Sequence, residues 1–120
     1  MEWIKIAIQI IIAVSIFNVW LLRFGKPTSW RGGTAKSMKE EFEAYGLPLW
    51  FMKVIGFLKL TFALLLIAGI WFQYLITPAA IGMAVLMLGA IAMHIKVKDS
   101  LVKSFPAFSF LMLSLILIFI

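Results

Sequence analysis

Three polar side chains stand inside long apolar runs of this chain, and they carry most of its capacity for chemistry: Asn18, Lys59 and His94. Lys59 is the most demanding. It lies about ten residues into the apolar stretch Leu49–Trp71 and a dozen from its other end, so its ammonium starts near the middle of that stretch. A cation at the centre of a membrane-crossing helix costs a few kcal/mol and must snorkel, pair or face a cavity. Lys59 is therefore a candidate counter-ion, proton-linked group or ligand contact. Lys53, nearer the end of the same stretch, reads as a snorkelling lysine.

As a histidine, His94 offers an imidazole able to take up a proton, ligate a metal or donate a hydrogen bond. With no cysteine and no second histidine in the chain, a metal site is not expected. Near the C-terminus of a helix, His94 also complements the helix dipole. Met83, Met87, Ala90 and His94 fall on one helical stripe at spacings of four, three and four. Such a stripe lines a pocket for an apolar ligand or packs as core. No catalytic constellation is present: there is no glycine-rich phosphate loop, no serine elbow and no carboxylate pair within an apolar run. Glu40, Glu41 and Glu43 read as the solvated face of a short helix, with Lys36 and Lys39 at helical spacing.

The elements that position these residues follow from composition. Of 120 residues, 64% are hydrophobic and only 13% charged, and the mean hydropathy is +1.10. A soluble domain is nearer 45–50% apolar and about 25% charged. A water-soluble core of this size has no room for so much apolar surface, so the chain is read as an integral membrane protein, with the bilayer as its first partner. Its formal charge of +6 then belongs to loops and is not a nucleic-acid signal. The lack of cysteine excludes disulfides, thiolate metal sites, CxxC redox chemistry and covalent haem attachment.

The expected fold class is all-α: a four-helix membrane bundle with a short amphipathic helix in the first loop, all in one domain over 1–120. The spans are placed at about 3–22, 49–71, 78–95 and 105–120. The first is too long for a signal-peptide core and lacks a cleavage pattern after it. The last, at sixteen residues or roughly 24 Å, is short for a crossing. Ser37-Met38-Lys39-Glu40 reads as a capping box opening the loop helix, about 35–45, which Gly46 ends. Thr77 and Pro78 open the third span, Ser104 caps the fourth, and Gly82 and Gly89, seven apart, share a face suited to close helix contact.

The loops 23–48 and 96–104 hold most of the basic residues. By the positive-inside rule they face the cytoplasm, with both termini outside, in the cell (inner) membrane. Trp3, Trp71 and Tyr74 then mark the outer interface and Trp20, Trp50 and Phe105 the inner one. Asn18, Lys53 and His94 come within about two turns of the cytoplasmic boundary.

The order of residues also carries a resemblance. A first span ending near Phe24-Gly25-Lys26 is followed by Phe42-x-x-Tyr45-Gly46-Leu47-Pro48-x-Trp50 and Gly56-x-x-Lys59. Then come Ala63-Leu64-Leu65-Leu66-Ile67-Ala68-Gly69 and Met87-x-Gly89-Ala90-Ile91-x-Met93-His94 before a basic loop. This pattern resembles the DoxX-like family over essentially the whole chain. The resemblance implies a small four-helix bacterial membrane protein, some of whose relatives are linked to quinone-reducing membrane oxidoreductases. Many members carry an acidic residue after the second-span glycine, where this chain has Lys59, so a carboxylate-based mechanism does not carry over.

Three functions follow as expectations. One is a non-catalytic accessory subunit of a quinone-linked oxidoreductase, with no cofactor in the chain and quinone reached through a partner. Another is a carrier of a small molecule or lipid, alone or as a homo-oligomer, with a pocket around Lys59 and His94 favouring an anionic or polar-headed substrate. The membrane-embedded glutamate that small multidrug exporters use in the first span is missing, which counts against cation export. The third is a scaffold whose polar groups only fix helix register.

Overall fold

The computed structural model describes residues 2–26 and 35–120, and among these every regular element is helical. Helix α1 (Glu2–Phe17) runs directly into a turn of i→i+5 bonding over Asn18–Leu22. The short α2 (Met38–Ala44) follows, then α3 (Leu49–Ala68), α4 (Ile76–Lys96) and α5 (Phe105–Phe119). Four segments are long and apolar enough to cross a membrane: Glu2–Leu22, Leu49–Ala68, Gln73–Lys96 and Leu101–Phe119. The long axis of the molecule, 40 Å, matches a bilayer with its headgroup layers, about 40–45 Å.

Each of the four spanning helices is predominantly apolar around its circumference, as expected for spans. The outward faces carry large apolar side chains such as Ile11, Phe57, Leu64 and Val85, all exposed. The inward faces are made of smaller ones. Ala13, Ala63, Ala79 and Ala80 are completely buried, and such residues let helix backbones approach where no hydrophobic effect drives them together. In chain order α1 packs on α3, α3 on α4 and α4 on α5, while α5 makes a thinner contact back to α1. One polar tie crosses the middle: the amide of Gln9, 1% exposed, donates from Nε2 to the carbonyl of Leu66 at 2.7 Å.

The helix ends differ from expectation in instructive ways. Helix α4 starts at Ile76, two residues before Pro78, and Thr77 makes no cap; a 3₁₀ turn over Gln73–Leu75 leads into it. Proline tolerates this because the first-turn N–H groups have no intrahelical acceptor. Ser104 does not cap α5 with its side chain either. A 3₁₀ turn over Leu101–Ser104 runs straight into the helix. It brings the fourth span to 19 residues, which removes the shortfall in length.

The serine half of the capping box forms. Ser37 Oγ accepts from the Glu40 amide at 3.2 Å and donates to the Glu40 carboxylate at 3.3 Å. At the other end of α2, Gly46 adopts φ +77°. The Leu47 amide reaches back to the Phe42 carbonyl at 2.9 Å and the Gly46 amide to that of Glu43 at 3.0 Å, a paired closure that needs a left-handed residue between helix and exit.

Two of the three aromatics placed at the inner interface do lie on the outside: Trp50 and Phe105 are exposed. Trp20 is not a belt residue. It is 7% exposed and lies against Gly56, where an added Cβ would come within 2.6 Å of the indole ring. The glycine pair of α4 also divides. Gly82 is covered by the ring of Phe62, whereas a Cβ at Gly89 would meet nothing within 4 Å. Close contact explains the first glycine and not the second.

Gly56→Ala should therefore lower stability by about 1–3 kcal/mol, since Trp20 is hemmed in and must shift. Gly89→Ala should be neutral or gain up to about 1 kcal/mol through helix propensity. Unfolding of both variants in one detergent, followed by circular dichroism, checks the contrast.

Candidate functional site

Around Trp20 the i→i+5 turn sets the geometry. The Arg23 amide bonds the Asn18 carbonyl at 2.9 Å, so the extra residue per turn rotates the end of the first span. Wide turns of this kind are rare and recur at functional sites. This one brings Asn18, Trp20 and Arg23 to a single cavity.

That cavity has a volume of about 800 Å³. It lies at the end of the bundle that carries α2, bounded by the last turns of the first span, α2, the first half of α3, the last half of α4 and the first turns of α5. Asn18, Lys59 and His94 all line it. No hydrogen bond joins any two of them. Lys59 Nζ stands 5.4 Å from the centroid of the Trp20 ring, a cation–π placement worth about 0.5–2 kcal/mol according to how dry the site is. Gly56, one turn before Lys59, gives the indole room to lie there. This is the physical content of the Gly56-x-x-Lys59 spacing.

Trp20 is one link in an edge-to-face and tilted series of rings. Phe24 lies 5.9 Å from it and Phe42 6.2 Å; Tyr45 follows Phe42 at 6.0 Å, and His94 follows Tyr45 at 5.9 Å. The series joins the first span to α2 and α2 to α4. Two backbone ties reinforce it: the Met38 amide donates to the Phe24 carbonyl at 2.8 Å, and Lys96 Nζ donates to the Tyr45 carbonyl at 2.7 Å. Helix α2 is thus fastened to the bundle at both ends and forms part of the cavity wall through Met38, Glu41, Phe42 and Tyr45.

His94 is buried and its Nδ1 lies 2.7 Å from Asp99 Oδ2. The carboxylate favours a proton on Nδ1, which leaves Nε2 as the nitrogen open to a ligand. Asp99 arrives there through a backbone device. Lys98 takes φ 59°, so the Asp99 amide closes on the His94 carbonyl and that of Lys98 on Ile95, both at 3.0 Å. This is the closure that Gly46 makes for α2, built here on a lysine. Lys103 Nζ, 3.9 Å from Asp99 Oδ1, completes the group and also lines the cavity.

Two expectations need correction. Glu41 is not part of a solvated face: its carboxylate accepts from the Tyr45 hydroxyl at 2.6 Å, lines the cavity, and is the acid whose field reaches Lys59. The methionine stripe splits. Met83 is core with no exposure, whereas Met87, Ala90 and His94 continue it as cavity wall. Arg23, on the cavity wall, and Asp99, behind His94, had no signal in the sequence beyond their polarity near a span end, whereas Tyr45 was marked by the family pattern alone. Lys53 is exposed and does not line the cavity. Among the described residues no three histidine or acidic side chains gather as a metal site would require.

The family match covers α2 to α5 and begins after the first span. The DoxX-like family model matches residues 27–118. This chain belongs to the DoxX-like family. The uncharacterised protein YdgD of Bacillus subtilis (strain 168) is 36% identical over 80 residues, covering 66% of this chain and 70% of that protein. No solved structure matches. With four apolar spans and this membership, the chain is a multi-pass membrane protein.

Lys98 holds a conformation that costs a side-chain-bearing residue about 1 kcal/mol. Lys98→Gly should raise stability by about that amount and leave the His94–Asp99 contact in place. Thermal unfolding in detergent, paired with the imidazole resonances of His94, the single histidine, tests both halves.

Proposed function

We propose that this DoxX-like protein binds a small amphiphilic molecule in the cavity beneath α2 and holds or carries it within the cell membrane. Asn18, Lys59 and His94 are its polar contacts. The observation that carries the reading is the convergence of these side chains, drawn from three different helical segments, on one cavity of about 800 Å³. That size falls within the range of small-molecule sites, roughly 300–1,000 Å³, and a mostly apolar wall with a few polar groups is their usual make-up. Under the positive-inside rule the basic loops, and with them the cavity, lie at the cytoplasmic face.

A second reading is an accessory role in a quinone-linked membrane oxidoreductase. It is supported by family resemblance and by the wall itself, where Trp20, Phe42, Tyr45 and Phe110 offer ring faces beside donors at Lys59 and Asn18. These residues suit the acceptor oxygens of a quinone head, and that group would supply the redox chemistry the chain lacks. In this reading the quinone is the amphiphile, and the protein delivers or stores it for a partner enzyme.

Both readings require a specifically held molecule. Protein purified from native membranes in mild detergent should carry one amphiphile, near one per chain, that mass spectrometry of the solvent extract identifies. Gly89→Phe, which fills the open side of α4, should reduce it at least tenfold. An extract that only mirrors the bulk lipids, unchanged in Gly89→Phe, contradicts both readings; a specific molecule other than a quinone retains the first and removes the second.

A further inference from the structure

The charges around the cavity do not balance. The chain has five acidic residues, Glu2, Glu40, Glu41, Glu43 and Asp99. Glu2 opens α1 at the opposite end of the bundle. Glu40 and Glu43 are exposed and do not line the cavity. Only Glu41 lines it, and Asp99 touches it indirectly through His94 and Lys103. Residues 27–34, wherever they lie, contain no acid.

Against these two acids stand three cations on the wall: Lys59, Arg23 and Lys103. These three cations alone leave one positive charge over, and Arg31, the one charged residue of 27–34, has the same sign. Lys103 has Asp99, and Glu41, which accepts from the Tyr45 hydroxyl, reaches Lys59 through its field and not through a hydrogen bond. Lys59 is the deepest cation, and among the described residues its ammonium has a ring face and no hydrogen-bond acceptor. An ammonium in a low-dielectric site gains most from an oxyanion that supplies both charge and acceptors.

We infer that the molecule held in this cavity carries a single oxyanion, a carboxylate or phosphate ester, seated on Lys59 with its apolar body along the Met87–Ala90 wall. The inference rests on the amphiphile-binding reading and narrows it: cations are disfavoured by the leftover charge, and neutral heads offer Lys59 an acceptor but no counter-charge. The side-chain amide of Asn18, on the same wall, can donate to a remaining oxygen of the head. The same head occurs on a free fatty acid and on an anionic phospholipid, and the cavity chemistry is common to both.

The test uses the full chain in nanodiscs of phosphatidylcholine, with oleate, oleyl alcohol and phosphatidylglycerol as probes and bound molecules counted by native mass spectrometry. Oleate should bind at least tenfold more tightly than oleyl alcohol, which has the same chain and no charge. Lys59→Arg should keep that preference and Lys59→Gln should abolish it. Displacement of oleate by phosphatidylglycerol assigns the site to a lipid headgroup, and failure to displace it assigns the site to a free acid; either supports the oxyanion. Equal binding of oleate and oleyl alcohol to the wild type overturns the inference while leaving amphiphile binding intact. Absence of binding by all three removes both. A preference that survives in Lys59→Gln overturns the assignment to Lys59, and if that variant does not fold, the wild-type comparison decides alone.

Discussion

An ammonium ion kept inside a hydrocarbon layer has to be given something in place of water, and much of this molecule is arranged around that need. Lys59 is met by the face of Trp20, and Trp20 lies flat only because Gly56 offers no side chain. The indole in turn packs tilted against Phe24 and edge-to-face against Phe42, which fixes α2 over the end of the bundle. Helix α2 brings Glu41 and Tyr45, and Tyr45 reaches His94. A loop helix that looked like a surface feature is therefore part of the solvation shell of a charge set in the membrane.

Much of this was legible in the residues. The spans follow from length and apolarity, and the loop helix from Ser37, Glu40 and Gly46, because caps are local chemistry that acts within four residues. Lys59, His94 and Asn18 stood out because polar groups are costly in lipid and few in number. Their meeting at one cavity was not legible. It depends on the wide turn at Asn18–Leu22, which shifts the end of the span by a register that no apolar pattern encodes.

Trp20 was misread for a related reason. Its type and its place near a span end are the same as those of Trp50, and only the glycine across from it separates a buried ring from an interfacial one. Glu41 shares its sequence neighbourhood with Glu40 and Glu43, yet one of the three turns inward, since Tyr45 lies four residues on. Lys98 hid the closure of α4 altogether. A left-handed residue after a helix is signalled by glycine, and here a lysine takes that place so that Asp99 can reach His94.

The central claim is that Lys59 looks into the cavity beneath α2 and not into lipid, and the absence of cysteine from the sequence makes it directly measurable. Single thiols at Lys59→Cys and at Leu64→Cys, an outward-facing position five residues further along α3, can be compared in proteoliposomes with a small water-soluble methanethiosulfonate reagent. The account predicts that the thiol at position 59 reacts and the thiol at 64 does not. Equal protection of the two, with reaction only toward a lipid-soluble reagent, would contradict it.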